Sequence, residues 1–355
     1  CKLPEDEIVA IRRSVDDMAE KGMRILALAE GDHEGPMPAT PFDLSVRFAG
    51  LVGLADPLRP EVKQAVRECR AAGIRVAMIT GDYPATARSI ATEAGLEVDD
   101  VLTGAEIDRL DDEQLKEHVR RATVFARILP EQKLRIVQAF KANNEIVAMT
   151  GDGVNDAPAL KAAHIGIAMG GRGTDVAREA AAIVLLDDDF ASMVKTVRLG
   201  RRIYDNLRKA MGYILAVHVP IAGVAIVPLL LGGPLILTPI HIAFLEMVID
   251  PVCSVVFEAE EEEPNVMRRK PRNRMSPLFS GGLIVWSLVQ GFLALGIIIA
   301  AYSFAMSRGM SEPEVRAITF VTLVLTNISL IFANRSFSTS LWDALRAHNR
   351  ALWLE

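Results

Sequence analysis

The sequence predicts an α/β domain with a doubly wound parallel sheet, followed by an α-helical bundle in a membrane. In the first half of the 355 residues, short apolar runs alternate with amphipathic helical patterns, and the joints between them are short. That alternation is typical of parallel strands connected by crossover helices. The second half carries long apolar segments, which raise the hydrophobic fraction of the chain to 50%, a high value for a soluble protein.

The first half supplies the elements of the sheet in a regular order. Apolar residues at helical spacing predict helices over residues 5–21, 61–72, 85–94, 130–143 and 157–163. Short apolar runs predict strands over residues 24–29, 48–54, 76–79, 123–126, 145–149, 165–169 and 182–185. The segment 31–41 is rich in Gly and Pro and is interpreted as a linker.

Two Thr-Gly-Asp turns follow predicted strands, at residues 80–82 and 150–152. Ligands of a doubly wound sheet bind beyond the carboxyl ends of its strands, so both turns are expected to face one crevice. The glycines of the second turn allow it to bend sharply and to bring backbone N–H groups near an anion. Asp152 and Asp156 add hard oxygens, which Mg²⁺ prefers beside a phosphate. A solvated turn between a strand and a helix is the alternative.

The second half predicts a stalk and membrane helices. A helix rich in Lys and Arg over residues 191–210 runs into the first apolar segment. Four membrane helices are expected, at about residues 211–233, 236–257, 281–306 and 317–333. Basic residues in the segment 268–274 predict that the loop after the second span is cytoplasmic, as is the sheet domain. Residues 334–355 are expected to form a cytoplasmic tail or loop.

Two carboxylates, Glu246 and Asp250, lie four residues apart in the second apolar segment. A helix would set both on one face near the middle of the lipid bilayer, where ionisable groups are costly unless paired, protonated or bound to an ion. Pro251 has no N–H and releases a backbone carbonyl beside them, and Pro220 does the same near His218. Together these residues predict a site for a transported cation. The alternatives are a protonated Glu246 that packs as a polar group and a structural His218.

Charge and cysteine content exclude other classes of function. The formal net charge of -6 gives no basic footprint for nucleic acid. The acidic run at residues 258–263 is interpreted as a solvated loop. Cys1, Cys69 and Cys253 show neither metal-ligand nor disulfide spacing, which favours a reducing compartment.

Motifs in a fixed order carry a family resemblance. They are Asp56-Pro57-Leu58-Arg59, then Thr80-Gly81-Asp82 with Thr86-Ala87, then Phe125-Ala126-Arg127 with Pro130 and Lys133, and finally TGDGVNDAPAL at residues 150–160. With the stalk and the apolar segments that follow, they resemble the C-terminal portion of P-type cation-transporting ATPases over nearly the whole chain. The presence of at least two spans after the predicted cation site resembles the calcium and sodium/potassium pump branch.

The resemblance implies a haloacid dehalogenase-like phosphorylation domain over residues 46–190, preceded over residues 1–45 by the end of a nucleotide-binding domain and a linker. It implies that Asp152 and Asp156 hold Mg²⁺ and that Lys133 contacts an aspartyl phosphate, since a transferring phosphoryl group needs cationic partners. By the same resemblance, the catalytic set includes Thr80, Gly81, Asp82 and Asn155, and the residues that bind ATP are Arg24 and Arg59.

The sequence also departs from the family pattern. The phosphorylated segment DKTGT and the dephosphorylating segment TGE are absent from these 355 residues. The chain is therefore expected to be inactive alone and to need the N-terminal portion of the same pump as its partner. Glu246 and His218 stand where calcium pumps tend to have Asn, so the ion stays open among divalent cations, with Ca²⁺ the leading candidate. A membrane-tethered phosphohydrolase and a non-catalytic pump remnant are the alternatives to an ATP-driven cation pump.

Overall fold

Two units form the chain, residues Cys1–Lys195 and Thr196–Glu355. The computed structural model describes residues 3–33, 37–38, 40, 44–273 and 275–335, and the side chains of residues 248–254 lie outside this description.

The first unit alternates helices and strands, as the sequence predicts. Its elements are α1 (Glu5–Glu20), β1 (Arg24–Glu30), β2 (Arg47–Leu54), α2 (Pro60–Ala71), β3 (Met78–Ile79), α3 (Pro84–Glu93), β4 (Val101–Thr103), α4 (Gly104–Ile107), α5 (Asp112–His118), β5 (Val124–Ala126), α6 (Pro130–Ala142), β6 (Ala148–Gly151), a 3₁₀ turn (Val154–Asp156), α7 (Ala157–Ala162), β7 (Ile165–Met169), α8 (Asp175–Ala180) and β8 (Ile183–Leu185).

Two three-stranded parallel sheets, in the orders β3-β5-β4 and β6-β7-β8, confirm the predicted parallel α/β fold. The whole of β5 is buried, as is typical of a parallel strand covered on both faces. β1 and β2 instead form a separate antiparallel pair, with Arg24 opposite Leu54. Most of β1 is exposed, which an antiparallel pair tolerates and a covered parallel sheet does not.

Three short helices, α4, α5 and α8, are missing from the sequence prediction because they are too short for an apolar period to be visible. The capping residues at the starts of these helices are the sequence signal that could have predicted them. Thr103 and Glu106 form a reciprocal capping box at the start of α4, and Asp111 and Gln114 form one at the start of α5. Thr174 caps α8 by accepting a hydrogen bond from the backbone N–H of Ala177.

The core of the first unit fixes the strand ends from which the two Thr-Gly-Asp turns emerge. One cluster contains the buried side chains of Phe125 and Ile136. A second contains Met149 and Leu160. Ile79, the last residue before the first turn, packs against both clusters, and Met149 is the last residue before the second turn. Both turns therefore start from positions that the core holds in place.

The second unit is helical. Its elements are α9 (Phe190–Leu230), which begins in the first unit, α10 (Pro239–Phe244), a π-helical turn (Leu245–Ile249), α11 (Asp250–Ala259), α12 (Gly281–Ser307) and α13 (Glu312–Asn334). The predicted stalk and first span are one continuous helix of 41 residues.

Among the described residues, three helices are long and apolar enough to cross a membrane, namely α9, α12 and α13. In the expected span at residues 236–257, the helix passes from α10 through the π-helical turn into α11 without a non-helical residue from Pro239 to Ala259. Pro251 gives the reason for the π-helical turn, because it has no N–H and its ring clashes with the carbonyl of Met247 one turn earlier. π-helical turns of this kind are frequently found at functional sites.

Small residues bring α9 and α12 close together. A Cβ at Gly291 would lie 2.6 Å from the carbonyl oxygen of Ala216 and 2.7 Å from Cβ of Val219. A Cβ at Gly223 would lie 2.4 Å from the side chain of Leu295. Close backbone approach at small residues is how helices pack in a bilayer, where no hydrophobic driving force acts between them.

The interpretation of residues 258–263 as a solvated loop is wrong. Glu260 and Glu263 are buried, each with an ion-pair partner, while Glu261 is exposed. The sequence pattern could not show this, because one of the partners, Arg335, lies 75 residues away from Glu260.

Candidate functional site

The loop after β6 is folded around the carboxylate of Asp156. This side chain is buried, and its Oδ2 accepts hydrogen bonds from the backbone N–H groups of Gly153 at 3.1 Å and Asp152 at 3.3 Å. A Cβ at Gly151 would lie 2.5 Å from Cβ of Asp156, so only glycine fits at that position. The glycines of this motif therefore allow the loop to close on its own carboxylate.

Lys133 reaches the same carboxylate from the first turn of α6. Its Nζ donates a hydrogen bond to Oδ1 of Asp156 at 2.6 Å, and the two side chains are 19% and 10% exposed. Because both groups are charged and largely shielded from water, the contact is stronger than an exposed ion pair. The structure thus places the ammonium group of Lys133 beside the loop that follows β6.

Gln132, the neighbour of Lys133, fixes the start of α6. Its buried side chain accepts a hydrogen bond from the backbone N–H of Leu129 at 2.9 Å. Its Nε2 donates to the carbonyl of Gly104 at 3.1 Å and to Oδ1 of Asp108 at 2.7 Å. Sequence reasoning missed this residue, although a Gln three residues after a helix start is a readable capping signal.

Asp152 and Asn155 lie on the exposed side of the loop. Within the described residues, the Asp152 carboxylate has no hydrogen-bond or ion-pair partner, and no three His, Cys, Asp or Glu side chains come together as a metal centre. Mg²⁺ does not need such a centre, because it is usually held by one or two carboxylates together with waters and phosphate oxygens. Asp152 and Asp156 fit a Mg²⁺ that arrives with a phosphoryl group.

The first Thr-Gly-Asp turn is tied to the segment after β5. Thr80 Oγ1 donates to Oδ2 of Asp82 at 2.7 Å, and the backbone N–H of Thr80 donates to the carbonyl of Phe125 at 2.9 Å. The carbonyls of Thr80 and Asp82 accept from the backbone N–H groups of Ile128 and Arg127. The space beside Gly81 is open, so its backbone can be approached by a ligand.

A cleft of about 750 Å³ opens between this turn and the α1–β1 segment. Arg12, Arg24 and Arg127 line it, together with the carboxylates of Asp16 and Asp82. Three guanidinium groups around one cleft favour an anionic ligand, and its volume suits a molecule of nucleotide size. Arg24, which the resemblance assigns to ATP, lies in this cleft.

Sequence reasoning missed Arg127 as a residue of this cleft. Its backbone φ of 55° is unusual for a non-glycine residue, and its guanidinium lies 5.6 Å from the ring centre of Tyr83. Side chains held in such sparsely populated backbone conformations cluster at functional sites. The available signal was its position in the Phe-Ala-Arg motif.

Arg59 lies elsewhere. Its guanidinium donates to the carbonyl of Asp188, whose own carboxylate accepts from the backbone N–H groups of Gly171 at 2.9 Å and Arg172 at 2.8 Å. Arg59 is not among the residues that line the described cleft with Arg24. In this structure it braces the turn before α9.

In the membrane unit, Glu246 lies in the π-helical turn with an exposed side chain, and Asp250 begins α11, its side chain outside the described residues. Nδ1 of His218 lies 2.7 Å from the carbonyl oxygen of Ile214 in its own helix. The described contacts do not join His218 to Glu246. Glu246 thus lies within the π-helical turn, Asp250 follows it at the start of α11, and His218 makes a contact within its own helix.

The chain matches two family models. One, described as haloacid dehalogenase-like hydrolase, covers residues 9–164. The other, described as cation transporting ATPase, C-terminus, covers residues 234–354.

Similar curated proteins carry the same description. A calcium-transporting ATPase of Bacillus subtilis is 41% identical over 330 residues, which are 90% of this chain and 36% of that protein. A probable cation-transporting ATPase F of Mycobacterium bovis is 37% identical over 345 residues, 94% of this chain and 38% of that protein. Calcium-transporting ATPase 1 of Yarrowia lipolytica is 35% identical over 333 residues, 92% of this chain and 36% of that protein. The chain belongs to the cation-transporting ATPase family. It spans little more than a third of the length of these relatives.

The predicted family and localisation are confirmed. This member of the cation-transporting ATPase family is a multi-pass membrane protein, and its haloacid dehalogenase-like domain is cytoplasmic. The Lys133–Asp156 pair and the arginine-lined cleft both lie in that domain.

The hydrogen bonds of Gln132 predict a stability effect. Gln132→Ala leaves the Leu129 N–H and the Gly104 carbonyl unpaired, so we expect a loss of about 1–3 kcal/mol in the free energy of unfolding. Gln138→Ala, at an exposed position of the same helix, should change it by less than about 0.5 kcal/mol. Urea unfolding of the cytoplasmic domain measures both changes. Equal urea midpoints for Gln132→Ala and the wild type would contradict the role of Gln132.

Proposed function

We propose that the chain provides the Mg²⁺–phosphate half of the catalytic site, and the cation site, of an ATP-driven P-type cation pump. The observation that carries the proposal is the loop in which Asp152 and Asp156 sit beside Lys133, with Lys133 Nζ 2.6 Å from Asp156 Oδ1. Two carboxylates and an ammonium group are what a phosphoryl group with its metal ion requires. The names of the relatives, which are calcium- or cation-transporting ATPases, support the same conclusion.

The residues of the two Thr-Gly-Asp turns and Lys133 have different proposed roles in phosphoryl transfer. Asp152, exposed and without a partner among the described residues, is the carboxylate available to Mg²⁺, and Asp156 is the second. Mg²⁺, when bound, neutralises charge on the phosphoryl oxygens. Lys133 contributes a fixed positive charge and the Gly81 N–H is a donor for phosphoryl oxygens, and the Thr80 hydroxyl would donate to them only on release from Asp82. Asp82 holds the Thr80 hydroxyl by a hydrogen bond of 2.7 Å.

ATP is the proposed ligand of the arginine-lined cleft. Arg12, Arg24 and Arg127 supply positive charge for the phosphates, and the open side of Gly81 leaves room for them at the turn. Arg59 contributes indirectly in this proposal, through its bond to the carbonyl of Asp188.

The reaction is proposed to pass through an aspartyl phosphate whose aspartate lies outside these 355 residues. No DKTGT segment occurs in the sequence, and the relatives are nearly three times as long as the matched segment, which covers 36% of the Bacillus subtilis protein. Phosphorylation would then require the N-terminal portion of the same pump. The chain alone would bind Mg²⁺ and phosphate without transferring a phosphoryl group.

The transported ion is proposed to be a divalent cation, with Ca²⁺ the leading candidate. Glu246 lies in the π-helical turn and Asp250 directly after it, and irregular helical turns of this kind can offer backbone carbonyls to an ion. Hard oxygen ligands favour Ca²⁺, Mg²⁺ or Mn²⁺, and participation of His218 would favour Mn²⁺ or another transition metal.

Replacement of the metal ligand tests the catalytic half. In the full-length protein, Asp152→Asn should lower the ATPase rate by roughly 100-fold or more, because one charged ligand for Mg²⁺ is lost. Asp99→Asn makes the same carboxylate-to-carboxamide change at an exposed position elsewhere in the same domain, and it should leave the ATPase rate unchanged. A wild-type rate in Asp152→Asn would refute the assignment.

Replacement of the membrane acids tests the transport half. Glu246→Gln and Asp250→Asn should each raise the cation concentration needed for half-maximal ATPase by roughly 10-fold or more, since a charged ligand becomes neutral. Glu258→Gln, at an exposed position of α11, is the matched control and should behave like the wild type. Titration of ATPase with Ca²⁺ and with Mn²⁺ provides the measurement. Unchanged cation dependence in both variants would contradict a cation site at this turn.

A further inference from the structure

The residue that follows α11, Glu260, is held from two other helices. Its carboxylate accepts hydrogen bonds from Nε of Arg335 at 3.0 Å and from Nη2 of Arg335 at 3.2 Å, the two-point geometry of a strong carboxylate–guanidinium pair. Its backbone carbonyl accepts from Nε of Arg202 and from Nδ2 of Asn206, both at 2.8 Å. Glu260 thus connects the end of α11 to α9 and to the residue after α13.

Two further ion pairs surround this connection. Lys209 in α9 donates to Glu263 at 2.8 Å, with the side chains only 1% and 5% exposed. Asp205, one turn earlier in α9, pairs with Arg269. The guanidinium of Arg201 adds bonds to the carbonyls of Val266 at 2.9 Å and Arg269 at 2.8 Å. The segment from Glu260 to Arg269 is therefore fixed along α9 by charged contacts.

Stability alone does not explain buried ion pairs at this position. Removing two charges from water opposes folding, and apolar residues of similar volume often stabilise a protein as well or better. Glu260, Glu263 and Lys209 are 7%, 6% and 2% exposed, so the opposing desolvation applies to each of them. What such pairs do provide is one defined arrangement of the helices that carry them.

The arrangement matters because of what lies at the other end of α11. The helix has 10 residues and spans about 15 Å, from Asp250 at the π-helical turn to Ala259 beside Glu260. Because α11 is a regular helix over these residues, fixing its Ala259 end also fixes the distance to its Asp250 end, next to the π-helical turn. The position of the π-helical turn is thus set from the fixed end of α11.

We propose that Glu260, through its pair with Arg335, is a positioning residue for the cation site. It holds the end of α11 against α9 and α13 so that the turn with Glu246 and Asp250 keeps the geometry that binds the ion. The inference rests on the proposed cation site and assigns to it a residue that does not touch the ion.

A double-mutant cycle in the full-length protein tests the proposal. Glu260→Gln and Arg335→Gln should each raise the Ca²⁺ concentration for half-maximal ATPase by about five-fold or more, while the KM for ATP stays within about two-fold. The double variant should shift it no further than either single variant, because it leaves no unpaired buried charge. Glu261→Gln, an exposed neighbour, is the control and should match the wild type.

The outcomes separate this inference from the proposed function. A wild-type ATPase that no cation activates refutes the proposed function and the positioning role with it. A cation-activated wild type in which Glu260→Gln keeps the wild-type Ca²⁺ dependence overturns the positioning role alone. A fall in kcat with an unchanged Ca²⁺ requirement would show a merely structural role and would also overturn it. If Glu260→Gln does not fold, the same comparison on Glu260→Asp decides.

Discussion

The contact between Lys133 and Asp156 is the constraint on which the cytoplasmic site depends. One carboxylate is shared among an ammonium group and two backbone N–H groups, so the loop after β6 has little freedom to move. Gly151 is required because the carboxylate lies where a side chain would be. Asp156 is held in place by these contacts, whereas Asp152 is exposed, so the two carboxylates of the proposed Mg²⁺ site lie beside a fixed positive charge.

In the membrane unit, the described residues of the turn before α11 lack the kind of ion pair that fixes the loop after β6. Pro251 cannot donate a backbone hydrogen bond to the preceding turn, and the turn that carries Glu246 is π-helical instead of α-helical. In our proposal the buried pair of Glu260 with Arg335, at the far end of α11, supplies the restraint on this turn.

Much of the fold was predictable because its signals are local. Apolar runs and the turns at residues 80–82 and 150–152 predict the strands of the parallel sheets, and Pro251 predicts the irregular helical turn in the second span. The family motifs marked Lys133 and Asp156 as site residues, but their ion pair was not predicted, since they lie 23 residues apart in the sequence. The burial of Glu260 had no such signal, because an acidic run looks solvated until its distant partner is known. Short helices such as α5 were not predicted, because apolar periodicity can be recognised only in a helix of more than one or two turns.

The measurement that tests the central claim most directly is phosphoenzyme formation by the full-length protein from ATP labelled on its γ-phosphate. The account predicts an acid-stable, hydroxylamine-sensitive label that appears only with Mg²⁺ and an activating divalent cation, attached to an aspartate outside these 355 residues. ATP hydrolysis without any such label, or a label on a residue within this chain, would contradict it.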